Sequence, residues 1–290
     1  MQKYEQPITG IISKRFSCRS YAKKPISPDK LGRMQSFLSK LPVTPFGSKP
    51  RFKMVATVGS DTESLRGLGT YGFIKNPSAF IIGATSPALF DLEDFGYLME
   101  AVVLHATRLE LFTCWLGGTF TKSGFAKKMD LSPTEIIPAV LSGGECDIQE
   151  RQGWASRKAG ANRRLPWEKL FFDQKFDIPL VRSKAAEYAA ALEMVRIGPS
   201  ASNKQPWRIV RADGVWRFYL SRTPGYFEDP IKRVLRLCDL QRLDIGIAMC
   251  HFELTAYESG LSGRWVVEKE IEKNPDELTE YVASWENRGD

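Results

Sequence analysis

Three stretches of this 290-residue chain carry side chains whose types and spacing could do chemistry. Arg15-Phe16-Ser17-Cys18-Arg19 places two guanidinium forks around a hydroxyl, a short basic cluster that fits an anionic cofactor. Arg163-Arg164, just before Leu165-Pro166, offers two more such forks. Pro199-Ser200-Ala201-Ser202-Asn203-Lys204-Gln205-Pro206-Trp207 crowds hydroxyls and amides between two prolines that restrict the backbone, which suits a planar polar ligand; the same residues also make ordinary surface turns.

Neither a nucleophile with its base nor a metal set stands out. His105 and His251 fall inside apolar helical runs, without a Ser or Cys placed for a triad. The five cysteines are odd in number and contain no Cys-x-x-Cys pair, so no zinc site and no disulfide framework is expected. They read as reduced thiols. Cys18 sits among basic residues that could lower its pKa, but no partner is visible along the chain and packing is the expected role.

The elements that would position these groups can be read from periodicity and punctuation. A first helix is expected over residues 8–17, ending near Tyr21. Ser27 followed by Pro28 marks a helix start, and Leu31, Met34, Phe37 and Leu38 form its apolar stripe. Residues 52–58 and 79–85 read as strands, the second as an interior one. Residues 94–111 read as a long buried helix, 136–141 as a strand broken by Gly143-Gly144, and 145–162 as a charged loop. Further on come a helix over 182–196, stopped by Gly198-Pro199, and a hairpin turning at Asp213-Gly214. An apolar helix over 244–260 and a strand over 264–268 follow, and residues 272–290 read as a polar terminal helix or tail.

The chain repeats itself. Asp94, Gly96, Met99, Leu104, Ala106, Leu111 and Trp115 recur as Asp244, Gly246, Met249, Leu254, Ala256, Leu261 and Trp265, at a constant offset of 150 residues. Such a period is far too long for a solenoid and points to two fused copies of one domain. The halves are placed at residues 1–165 and 166–290.

Composition sets the outer bounds. With 43% hydrophobic and 26% charged residues the chain reads as globular, and no run approaches the length of a membrane span or the apolar core of a signal peptide. No membrane partner is expected, and the cytoplasm is the expected location. The net charge of +7 fits nucleic acid or an anionic cofactor. Short clusters at 14–19 and 157–164, without a basic helix or interleaved aromatics, favour the cofactor over nucleic acid.

The loop at 199–207 resembles that of the FMN-dependent nitroreductases, and residues 15–21 resemble that family's N-terminal Arg-x-Ser-x-Arg/Lys signature. The resemblance implies an α+β nitroreductase-like fold, here as two fused copies forming an intrachain pseudodimer. The expected state is a monomer, with a homodimer as the alternative. It implies one FMN site, with Arg15, Ser17, Arg163 and Arg164 at the phosphate and Arg19 stabilising reduced flavin at N1 and O2. Pro199, Ser200, Ala201, Ser202, Asn203 and Gln205 would lie along the ring and ribityl chain, Gln205 with a structural role as the alternative. Gly117 and Gly118 would permit close backbone approach to the ring. Where the family commonly has a Lys, this chain has Asn162. NAD(P)H as co-substrate and a quinone, nitroaromatic or similar small acceptor follow from the same likeness, with no catalytic side chain required of the protein. The alternatives are a flavin carrier or sensor without turnover and a flavin-consuming or dehalogenating relative.

Overall fold

The computed structural model describes residues 6–57, 63–147, 163–226, 237–269 and 276–287. These form two compact units. The first holds residues 14–57, 63–147 and 237–239; the second holds 6–13, 163–226, 240–269 and 276–287. The units therefore differ from two sequential halves: residues 6–13 group with the later part of the chain, and residues 237–239 with the earlier part.

The first unit is built on α2 (Pro28–Leu38), β1 (Arg51–Ala56), β2 (Ala79–Ala84), α3 (Asp91–Arg108), β3 (Phe112–Leu116), α4 (Lys122–Met129) and β4 (Val140–Gly144). As the sequence predicts, Ser27 caps α2, its hydroxyl accepting from the Lys30 amide at 3.4 Å with Pro28 in the first turn. The four strands run β1-β2-β4-β3, every neighbouring pair antiparallel. β2 is buried at all six positions, as its unbroken apolar run implies.

The second unit contains β5 (Phe171–Asp173), α5 (Ala189–Ile197), β6 (Trp207–Ala212), β7 (Val215–Ser221), α6 (Leu240–Glu258), β8 (Gly263–Val266) and β9 (Thr279–Asn287). Its sheet runs β5-β6-β7-β9-β8. Without β5, which joins β6 in parallel, the order and the antiparallel pairings repeat those of the first unit strand for strand. The repeat extends to single hydrogen bonds. α3 ends where the Leu111 amide donates to the Ala106 carbonyl at 2.9 Å, and α6 ends where Leu261 donates to Ala256 at 2.9 Å. Between these partners Glu110 and Gly260 each take a left-handed conformation, the usual way to stop a helix. The equivalent Trp115 and Trp265 each donate to a glutamate of the preceding helix, Glu100 at 3.0 Å and Glu253 at 2.6 Å, although the two glutamates stand at different positions of the repeat.

Helix α1 (Ile8–Lys14) buries Ile8, Ile11 and Ile12 on one face. The carboxylate of Glu258, at the end of α6, accepts from the amides of Ile8 and Thr9, placing negative charge at the positive end of the α1 dipole.

Several expectations are corrected. The first helix stops at Lys14, not Ser17, because residues 17–21 are drawn into extended pairing with Thr113, Lys75 and Cys146. The helix expected over 182–196 is broken: residues 182–188 form tight turns, and Ala186, at φ 47°, separates them from α5. The strand expected over 136–141 begins at Val140 and includes Gly143 and Gly144, while Ile136 makes an isolated bridge to Thr85. Residues 279–287 are a strand inside the sheet and not a terminal helix or tail. The strand expected over 264–268 is Gly263–Val266. The charged loop over 145–162 lies mostly outside the described residues.

Candidate functional site

In the first unit the cationic motif is held flat against β3. The Cys18 amide donates to the Thr113 carbonyl at 3.0 Å, Lys75 donates to the Arg19 carbonyl at 2.8 Å, and Tyr21 donates to the Lys75 carbonyl at 3.0 Å. The phenol of Tyr21, fully buried, pairs with the Ser142 hydroxyl at 2.9 Å. With both edges pinned, the backbone of residues 17–21 is fixed in place.

Arg15 is half-buried, but its Nε is wholly buried and has no hydrogen-bond partner. Burial pulls its pKa down, while the negative charge of Glu100 and the nearby Cys114 thiol pull it back up. Arg19 is exposed, its Cζ 5.1 Å from the centre of the Phe73 ring, a cation–π distance. Burial pushes the Cys114 thiol up, and the two arginines act in the opposite sense. The motif thus presents cationic groups beside a buried carboxylate, with one guanidinium N–H lacking an acceptor.

Beyond β3, a Cβ on Gly118 would meet the Leu237 side chain at 2.7 Å. The close approach that this glycine permits is made here by Leu237, on the segment leading into α6. Sequence reasoning missed Leu237, which lies 119 positions from Gly118.

In the second unit the polar loop is tied down from three sides. The Asp244 carboxylate on α6 accepts from the Ala201 amide at 3.0 and 3.1 Å. The Ser200 hydroxyl accepts from the Gln205 amide at 2.9 Å. Gln205, only 2% exposed, turns inward: its Oε1 accepts from the Leu165 amide at 2.7 Å, and its Nε2 donates to the carbonyls of Arg163 at 3.3 Å and Asn203 at 3.1 Å. Asn203 donates to the Arg163 carbonyl at 3.2 Å and accepts from the Arg164 guanidinium. The loop and the Arg163–Arg164 segment are therefore one structure. Arg163 is exposed and Arg164 half-buried.

This loop holds non-glycine residues in a costly conformation. Ser202, Asn203 and Gln205 have φ of 50°, 55° and 50°. Each such residue costs on the order of 1 kcal/mol and persists where surrounding bonds over-determine it, which the Asp244, Ser200 and Gln205 bonds do. The equivalent loop of the first unit has the same anchor and different contents. Asp94 accepts from the amides of Phe46 at 2.9 Å and Ser48 at 2.8 Å, and the Thr44 hydroxyl accepts from the Gly47 amide at 3.2 Å, but the loop carries no Asn or Gln.

Both histidines are buried within helices. His105 stacks on Phe37 with ring centres 4.1 Å apart and interplanar angle 7°, and His251 pairs with the Met194 carbonyl at 2.9 Å. Among the described residues no cluster of three or more His, Cys, Asp or Glu could hold a metal ion, and no helix is long and apolar enough to cross a membrane.

Two copies of one antiparallel sheet-and-helix plan, with a cationic segment in one and a polar loop in the other, define a duplicated α+β protein. Residues 7–256 match the family model described as "Putative TM nitroreductase", and the chain belongs to that family. Its fold is similar to the crystal structure of a "putative nitroreductase" from Thermotoga maritima, with TM-score 0.59 and 18% identity over 98% of this chain and 95% of that one. An FMN-dependent nitroreductase from Clostridium difficile aligns with TM-score 0.40 and 20% identity over 48% of this chain and 87% of that one. A nitroreductase with bound FMN from Bacteroides fragilis gives 0.38 and 16%, over 50% and 90%. No curated protein is significantly similar in sequence.

Proposed function

We propose that the chain binds one FMN and passes electrons from NAD(P)H to a small organic acceptor such as a quinone or nitroaromatic. The observation that carries the reading is the buried Arg15 Nε without an acceptor, in a motif whose backbone is fixed on both sides, within a chain of the nitroreductase family. A phosphate oxygen is the partner such a guanidinium lacks. Arg15, Ser17, Arg163 and Arg164 would hold the phosphate, and Arg19, steadied by Phe73, would face the pyrimidine edge of the ring. Pro199, Ser200, Ala201 and Ser202 would lie along the flavin ring. Asn203 and Gln205 act on this reading through the loop, since their amides already bond to residues 163–165. Gly117 and Gly118 would face the ring once Leu237 withdraws.

When bound, the flavin would supply the hydride and electron chemistry, so no side chain need act as nucleophile. The protein's part is to fix the phosphate, present a cation to the reduced ring and order the polar loop. A carrier without turnover is the second reading, in which FMN is held but neither nucleotide reduces it. The test is to saturate the purified chain with FMN, record its visible spectrum, and add NADH or NADPH without oxygen. Bleaching followed by reoxidation with a quinone supports the enzyme; a stable yellow complex that neither nucleotide bleaches supports the carrier. A chain that retains no FMN overturns both.

A further inference from the structure

We propose that Cys18 and Cys146 are a redox modification site at which a hydroperoxide forms a disulfide within the chain. Their sulfurs lie 3.3 Å apart in the first unit, although 128 positions separate them in sequence. A disulfide needs about 2.05 Å, and the backbone around both residues is already paired. Tyr21 and Cys146 face each other in an antiparallel bridge, Ala22 donates to the Glu145 carbonyl at 2.9 Å, and Asp147 donates to the Ser20 carbonyl at 3.1 Å. Closing the remaining gap takes side-chain rotation and a small shift, not rearrangement of the strands.

The two thiols are unequal in access. Cys18 is fully buried and Cys146 is half-exposed, so the peroxide meets Cys146. The Cys146 thiolate attacks the nearer peroxide oxygen, the O–O bond breaks, and water leaves after the departing oxygen takes up a proton; Cys146 is then a sulfenic acid. The Cys18 thiolate attacks the Cys146 sulfur, the S–O bond breaks, and the hydroxide leaves as a second water with the other thiol proton. Two thiols and one hydroperoxide thus give one disulfide, one water and one water or alcohol, and the peroxide is the species reduced. The remaining thiols are less suited than Cys146 to meet the peroxide. Cys114 and Cys250 are buried, and burial pushes the half-exposed Cys238 thiol up, which lowers its thiolate fraction.

The pair ties the segment carrying Ser17 and Arg19 to the strand end at Glu145–Asp147. The chemistry stands whether or not flavin binds.

Treat the full chain with hydrogen peroxide, alkylate the surviving thiols and map the peptides without reduction. The expected result is loss of two of the five thiols, a linked peptide containing Cys18 and Cys146, and its release by dithiothreitol. Cys18→Ser should leave Cys146 as a sulfenic acid that dimedone captures. Cys146→Ser, at the half-exposed position where folding is least at risk, should leave Cys18 unreacted at the same dose. Five surviving thiols, a link involving another cysteine, or sulfinic acid at Cys146 of the unsubstituted chain without any link would overturn the proposal.

Discussion

The carboxylate of Asp244 holds the amide of Ala201 at 3.0 Å, and 150 residues earlier Asp94 holds the corresponding loop of the other copy through Phe46 and Ser48. One anchor stands in both copies, while the side-chain amides of Asn203 and Gln205 have no counterpart in the first-unit loop.

The two anchors should therefore separate stability from binding. Asp94→Ala and Asp244→Ala each remove charge-assisted bonds to half-buried amides and should cost about 1.5–3 kcal/mol in urea unfolding. Asp244→Ala should also weaken FMN retention, because the strained Ser202, Asn203 and Gln205 lose their restraint; Asp94→Ala should leave retention unchanged. Equal loss of flavin in both variants would remove the functional distinction between the loops.

Substitution of the arginines tests the phosphate assignment directly. Arg15→Ala with Arg164→Ala should abolish flavin retention, and Arg15→Lys, which keeps a charge beside Glu100, should keep the fold while weakening FMN by roughly tenfold or more, the loss of a fork contact. Arg19→Ala should lower the flavin midpoint potential with FMN still bound. An unchanged potential removes Arg19 from the ring.

His105 makes stability depend on pH. Burial, with Arg108 nearby, pulls its pKa from 6.5 to about 4. Between those values the unfolded chain takes up a proton that the folded chain refuses, so stability is full above pH 6.5 and falls as pH drops toward 4. Discounted for solvent screening, the loss should be about 2 kcal/mol. His105→Phe, which can keep the stack on Phe37, should flatten denaturation midpoints across this window; an unchanged slope would assign the pH dependence elsewhere.

At the end of α3 the duplication offers its own control. Glu110 adopts a left-handed conformation at φ 57° where the other copy has Gly260. Releasing that strain is worth about 1 kcal/mol, and the exposed pair Lys14–Glu110 at 2.8 Å offsets some of it. Glu110→Gly should raise the melting temperature by a few degrees, and a drop would mean that the ion pair outweighs the backbone term.

Much of the fold was legible because local rules and tertiary demands agree. Ser27-Pro28 opens a helix, Asp213-Gly214 turns a two-residue hairpin, and the seven matched residues at offset 150 mark equivalent helices in sheets of equal strand order. Legibility failed where distant pairing overrides local preference. Residues 15–21 continue a helix by sequence, yet Thr113, Lys75 and Cys146 hold them extended. β9 reads as a polar tail because Glu280 and Glu286 interrupt it, but it lies between β7 and β8 and buries Val282, Ala283, Ser284 and Trp285. In the candidate site, residue types were readable and their partners were not. The inward turn of Gln205, Leu237 against Gly118, and the approach of Cys18 to Cys146 all depend on contacts across long stretches of chain.

Helix α1 begins under Glu258 and shares its unit with residues written more than 150 positions later, while residues 237–239 return to the company of the early strands. A cut at the middle of the gene would leave each fragment short of parts that the other keeps.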